Sequence, residues 1–175
     1  QHPRALLAGA GKFHYLTRFA IARVTAAHGI VIWRVVETMH TLEMYRLDGR
    51  VALVTGGGHG IGRHMSIGLA EAGADVVIGA RTAADLERVA HDVRALGRRA
   101  LVVPTDVLDF AQLQRLADST LQEFGRIDIL VTNAGGPPPG MWSDWKREDF
   151  IRAIDANMLT PVAMMQSVLP LMIAR

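Results

Sequence analysis

The residues best placed to do chemistry here are glycines. Thr55-Gly56-Gly57-Gly58-His59-Gly60-Ile61-Gly62 follows a short apolar run and opens a helical pattern. Glycine at such a junction lets backbone approach a pyrophosphate, which then rests on the free N–H groups of a helix start. On this reading the loop is suited to a phosphate group. Two rival glycine motifs fail on spacing. A nucleoside-triphosphate loop needs Lys and then Ser or Thr after its last glycine, whereas Gly62 is followed by Arg63 and His64. The G-x-G-x-x-G spacing is absent from every frame; what stands is Thr-Gly-x-x-x-Gly-x-Gly, with glycines at 56, 60 and 62.

Asn157 can be read from its neighbour Pro161. Proline has no N–H, so the carbonyl four residues earlier loses its helical partner. A kinked helix with that carbonyl free could hold an ordered water beside a bound ligand; an ordinary proline kink is the alternative. Metal chemistry is poorly supplied, and no metal site is expected. There is no cysteine, His59 and His64 are five apart, and no His-Glu-x-x-His occurs. Ser66 and Ser143 lack a nucleophile's context. The set Phe150, Ile151, Ile154, Met158, Met165 and Leu169 suits a helix core or a subunit interface better than a ligand pocket.

The elements that must position these residues alternate regularly. Val51–Thr55 is a short apolar run of the kind a buried parallel strand makes. A helix comes next, from about Ile61 to Gly73, and a second strand lies within Asp75–Gly79. Thr82 and Asp85 form a capping box for a helix that Gly97 ends. Ala100–Val103 is the third strand; Asp109 and Gln112 repeat the capping pattern, and Gly125 closes that helix. Ile127–Val131 is the fourth strand, and after an irregular loop at Gly135–Gly140 one long helix runs from Arg147 to Met172. Such alternation predicts an α/β fold, a Rossmann-type doubly wound parallel sheet of about four strands, with ligand at the carboxyl ends of the strands.

The glycine spacing and three motifs downstream of it resemble the short-chain dehydrogenase/reductase family. Asp106 follows the third strand in Thr105-Asp106-Val107, the fourth strand ends in Thr132-Asn133-Ala134-Gly135, close to the family's Asn-Asn-Ala-Gly, and Asn157 lies on the next long helix. Four elements in order, at family spacing, carry the resemblance over about Met44 to Arg175, roughly the first half of a typical member. It implies that backbone N–H groups from Gly56 to Gly62 hold a dinucleotide pyrophosphate. Asp106, with Val107 beside it, would meet the adenine amino group. Asn133, with Ala134 and Gly135, would fix the fourth strand and the ribose side. Asn157 would serve a proton relay through a water. Each of Asp106 and Asn133 also has a plainer reading as a turn residue.

Arg81 bears on cofactor choice. An acidic residue about 20 positions past the glycine loop suits the ribose hydroxyl of NAD, and an arginine there suits the 2′-phosphate of NADP. Ala80 occupies the place where NAD-preferring members carry Asp, and Arg81 follows it. NADP(H) is therefore the expected cofactor, with NAD(H) possible; His59 would add a weaker contact, and an Arg81 that merely faces solvent is the alternative. The family's chemistry also needs a serine and a Tyr-x-x-x-Lys. Tyrosines occur only at 15 and 45 and lysines only at 12 and 146, so no such pair exists in these residues. The expectation is a C-terminally truncated cofactor-binding half, inactive alone. It would come from a homo-oligomeric oxidoreductase that moves hydride between NADP(H) and a small carbonyl or alcohol, with 3-oxoacyl reductases one plausible group. A non-catalytic dinucleotide-binding protein is the rival reading.

Composition sets the outer bounds. The 175 residues are 50% hydrophobic and 21% charged, a globular balance. Residues 1–43 carry five basic and two acidic side chains, while residues 44–175 carry 14 and 15. The basic excess belongs to the first quarter alone, which argues against a nucleic-acid partner for the rest. Arg23 and Arg34 interrupt the apolar run Phe19–Val36, making it a poor membrane span, and no secretory cleavage pattern accompanies it. Phe13, Leu16, Ala20, Val24 and Ala27 recur at helical spacing in a segment of transit-peptide composition. Met44, however, opens a typical lead-in to the first strand. Residues 1–43 are thus expected to be an extension outside the functional domain, residues 44–175 to be the Rossmann domain, and no membrane is expected as a partner. The cytoplasm is the expected compartment.

Overall fold

A computed structural model describes residues 19–25, 31–37, 43–136 and 139–174. The chain divides into two compact units, Gln1–Tyr45 and Arg46–Arg175. In the first unit, β1 (Phe19–Thr25) and β2 (Val31–Glu37) pair antiparallel, from Phe19 opposite Glu37 to Thr25 opposite Val31. The helical spacing expected through Ala20 and Val24 is therefore corrected to strand; Phe13, Leu16 and Ala27 lie outside the described residues. The cause is composition. Ile21, Val24 and Thr25 on one side and Val31, Ile32, Val35 and Val36 on the other are β-branched, and such side chains fit a pleated surface better than a helix.

The second unit is the predicted α/β alternation. It runs β3 (Val51–Thr55), α1 (Gly60–Glu71), β4 (Asp75–Ala80), α2 (Ala83–Ala95), β5 (Ala100–Pro104), α3 (Phe110–Phe124), β6 (Ile129–Thr132), α4 (Arg147–Ile154) and α5 (Thr160–Ile173). The four strands form one parallel sheet in the order β5-β4-β3-β6, with Val54 flanked by Ile78 and Val131. Successive strand residues face opposite sides, and the two cores obey that alternation. Val51, Leu53 and Val77 pack with Leu113, Leu116, Met164 and Val168 of α3 and α5. Val54, Val76 and Ile78 pack with Ala70 of α1 and Leu86, Val89 and Val93 of α2. β3 and β4 are buried almost throughout, as parallel strands covered on both faces must be.

Several boundaries move for physical reasons. The fourth strand starts at Ile129 rather than Ile127, because Ile127 is spent on the core and Asp128 on a cross-link to β3. Thr82 does not form the expected capping box. Its side chain makes no cap bond, and the Asp85 carboxylate is taken by Arg88. Asp109 does cap α3, accepting from the N–H groups of Ala111 (2.9 Å) and Gln112 (3.2 Å). The side-chain amide of Gln112 also donates to it, and these bonds hold the Asp109 carboxyl below the usual carboxylate range. The long helix expected over 147–172 is divided by a π turn at Asp155–Leu159. Among the described residues this run, Arg147–Ile173, is the one helix long and apolar enough to cross a membrane, its most apolar 18 residues having a mean hydropathy of 1.3. Its Met164 and Val168 are buried in the sheet core.

Candidate cofactor site

The carboxyl ends of β3, β4, β5 and β6 surround a cleft of about 500 Å³. Each strand contributes the residue or loop immediately after it. β3 leads into the glycine loop, and its turn depends on Gly56, whose φ is +68°. A Cβ at Gly56 would lie 2.8 Å from the Ala134 Cα, so the left-handed turn and the close approach both require glycine. Gly62 has a different reason. A Cβ there would stand 2.1 Å from the Gly56 carbonyl oxygen and 2.5 Å from Asn133 Nδ2, so only glycine lets α1 start against its own loop. Gly60, by contrast, has nothing within 4 Å of where its Cβ would be.

That open side matters because α1 begins at Gly60 without a side-chain cap and without an acidic residue in its first turn. The first N–H groups of a helix have no partner inside it and carry a partial positive charge. Here they are left bare beside the cleft, and a diphosphate fits them. His59 at the N-cap and Ile61 are exposed and line the same space, as does Gly58.

β6 is fastened to the loop by side chains. Asn133 Nδ2 donates to the Gly56 carbonyl at 3.2 Å. Thr55 Oγ1 accepts from the N–H of Asn133 (3.2 Å) and of Ala134 (3.3 Å) and donates to the Val131 carbonyl (3.3 Å). Thr55 is only 3% exposed, and its hydroxyl holds the ends of β3 and β6 at fixed spacing. It stands inside the glycine motif, yet its type gave no sign of this bridging duty. Gln112 was legible only as a cap partner. Its Oε1 also accepts from the Asp106 N–H at 2.9 Å, while Asp106 Oδ1 accepts from Leu108 N–H at 3.0 Å, so Asp106 sits in a turn braced from α3. Asp106 and Val107 line the cleft half-buried.

Arg81, just past β4, is exposed and lines the cleft with Ala80, Thr82 and Asp85. No ion pair or hydrogen bond is made by its side chain among the described residues, in contrast to Arg63, which pairs with Asp92 at 2.8 Å. On the far side Gly135, Gly136, Arg152 and Ala156 complete the wall.

Asn157 is placed differently from its expected setting. The helix passes the Pro161 region through the π turn rather than a simple kink, with Thr160 N–H reaching back five residues to the Asp155 carbonyl. The Thr160 hydroxyl satisfies the Ala156 carbonyl at 2.7 Å. Such π turns inside α-helices occur frequently at functional sites. Here Asn157, within the turn, clamps the glycine pair after β6. Its Oδ1 accepts from Gly136 N–H at 3.0 Å, and its Nδ2 donates to the carbonyls of Ala153 (2.8 Å) and Gly136 (3.4 Å). The structure thus brings Gly56, Gly58, His59, Ile61, Arg81, Asp106, Val107, Asn133, Ala134 and Gly135 around one cleft, with Gly60 and Gly62 shaping the loop and Asn157 bracing its edge.

Known proteins resemble this chain in sequence and fold. Residues 50–175 match the short chain dehydrogenase family. An uncharacterised oxidoreductase of Mycobacterium tuberculosis is 39% identical over 132 residues, 75% of this chain and 50% of the relative. A 7α-hydroxysteroid dehydrogenase solved with NADH and 7-oxo glycochenodeoxycholic acid superposes with a TM-score of 0.72 at 36% identity, over 77% of this chain and 52% of its own. L-Sorbose reductase of Gluconobacter frateurii, solved with NADPH and L-sorbose, gives 0.70 at 30% identity, over 75% and 50%. The chain spans about half the length of the relatives it matches. With the family match covering most of its length, the chain belongs to the short-chain dehydrogenase family of oxidoreductases.

Proposed function

We propose that this chain is the dinucleotide-holding part of an oxidoreductase that takes NADP(H) in preference to NAD(H). One observation carries the preference. Arg81 has no charged partner among the described residues, and it lines the same cleft as the uncapped start of α1. A 2′-phosphate at the end of β4 would supply the anion that Arg81 lacks, through a charge-assisted, bidentate contact. Among solved relatives, one carries NADH and another NADPH, so the fold admits both, and on this reading Arg81 makes the choice.

The chain's own residues divide the work. N–H groups of the loop from Gly56 to Gly62 hold the diphosphate, and Asp106 and Val107 bound the adenine end. Asn133 and Thr55 keep β6 at the spacing the nicotinamide ribose needs, and Asn157 fixes the Gly135–Gly136 edge. When bound, the cofactor donates or accepts a hydride, and the substrate proposed is a small carbonyl or alcohol, with 3-oxoacyl compounds one class to try. Residues 1–43 are proposed to lie outside the cofactor domain. Cytoplasmic placement and a homo-oligomeric assembly belong to the same reading. The exposed row Met158, Val162, Met165, Leu169 and Ile173 supports the assembly.

Isothermal titration with NADPH and NADH tests the proposal. NADPH binds more tightly, and Arg81→Asp removes that advantage, a loss of roughly 10- to 150-fold for a charge-assisted contact. Equal affinity of the unaltered chain for the two would remove the NADP(H) assignment, and no binding of either would remove the cofactor reading as a whole.

A further inference from the structure

We infer that Arg88, which does not line the cofactor cleft, sets the NADP(H) preference by keeping the Asp85 carboxylate away from Arg81; this rests on the cofactor reading above. Asp85 is the acidic group placed to spoil a 2′-phosphate site. It lines the cleft with Arg81, its side chain is 24% exposed, and it lies against the glycine loop, where a Cβ on Gly58 would come within 3.2 Å of the Asp85 Cβ. Left bare, such a carboxylate would act against a phosphate in two ways. It would repel the dianion directly, and it would offer Arg81, four residues away, a competing partner. It would also accept from a free ribose hydroxyl, which favours the cofactor without the phosphate.

Arg88 prevents all three. One turn further along α2, its guanidinium bonds Asp85 Oδ1, while the Arg88 side chain is 77% exposed and lines the neighbouring groove between α1 and α2. The result is one neutralised pair beside the unpaired Arg81 at the mouth of the cleft. Arg88 is a positioning residue, since it acts through Asp85 and Arg81 without touching the ligand.

Titration of Arg88→Ala with NADPH and NADH distinguishes this from a structural role. NADPH affinity falls roughly two- to fivefold, the scale of one partly exposed charge pair, while NADH affinity holds or rises. Asp85→Asn in the Arg88→Ala background restores NADPH binding, and Arg88→Lys retains most of it. Equal losses for both cofactors, or no rescue by Asp85→Asn, would overturn the inference while leaving the cofactor reading intact. If the unaltered chain binds neither cofactor, both fall together. If Arg81→Asp leaves NADPH affinity unchanged, the inference falls with the Arg81 assignment.

Discussion

The two ends of the parallel sheet treat their polar groups in opposite ways. At the amino ends of the strands charges are matched. Asp128 accepts from Val51 N–H (2.9 Å), Arg126 Nε (2.7 Å) and Arg50 (3.2 Å), tying the start of β3 to the start of β6. Asp75 accepts from Arg99 N–H at 2.8 Å, and Arg98 donates to the Gly73 carbonyl at 2.9 Å. At the carboxyl ends the pattern reverses. The α1 start is uncapped and Arg81 is unpaired among the described residues, although Arg88 and Asp85 show that ion pairs form close by. The first end is finished by the chain itself; the second is braced by Thr55, Asn133 and Asn157 but leaves the α1 start and Arg81 for the proposed ligand.

The largest break in this contrast comes from Gly62→Ala. Its Cβ would overlap a backbone oxygen that cannot swing aside, so the loop must shift, at a cost near the top of the ~1–3 kcal/mol range for overpacking. Cofactor binding should be lost and the melting temperature should drop, measured by titration and calorimetry. Retention of both would show that the loop is not held as described.

Asp128→Asn probes the other end. It should lower stability by about 1–2 kcal/mol, as charge-assisted bonds are removed, and leave cofactor affinity unchanged. Burial raises the Asp128 pKa, but Arg126, the Val51 N–H and Arg50 together outweigh it and hold the value at about 2. A carboxyl with a folded pKa below its unfolded value stabilises fully above the unfolded value and loses that contribution as pH falls through the folded one. The contribution is therefore present above about pH 4 and disappears between about 4 and 2. Urea midpoints across that range should converge for the two proteins at low pH. A constant difference would point to packing rather than charge.

The smallest effect should come from deletion of residues 1–43. If the extension lies outside the cofactor domain, the melting temperature of Arg46–Arg175 shifts little, and a fall of several degrees would assign the segment to the fold.

Much of this was legible in the sequence because local and global signals agree. The apolar run Val51–Thr55, the glycines closing the helices at 73, 97 and 125, and the Asp109 cap reappear where the pattern puts them. Gly56 and Gly62 stand in the glycine motif for physical reasons: neither position has room for a Cβ, and Gly56 also turns left-handed. The misses were matters of side-chain partnership. Thr82 and Asp85 have the right types and spacing for a capping box, but Arg88 one turn away competes for the carboxylate. Pro161 signals a disturbed helix without saying that a π turn will absorb the disturbance and send Asn157 to Gly136. Thr55 acts across the sheet, bridging residues 76 to 79 apart, which is beyond any local pattern, and Gln112 reaches back six residues to brace the Asp106 turn. The β1–β2 pair was missed because five positions at helical spacing outweighed a run of β-branched residues.

If a dinucleotide seats on the unfinished end of the sheet, the finished end should not feel it. An amide NMR titration with NADPH reads both ends at once. Shifts are expected to concentrate at Gly56–Gly62, Arg81, Asp106–Val107 and Asn133–Gly136, with Arg50, Arg126 and Asp128 unmoved. Shifts centred on Asp128 and its arginines, or none at the glycine loop, would contradict that division of the sheet.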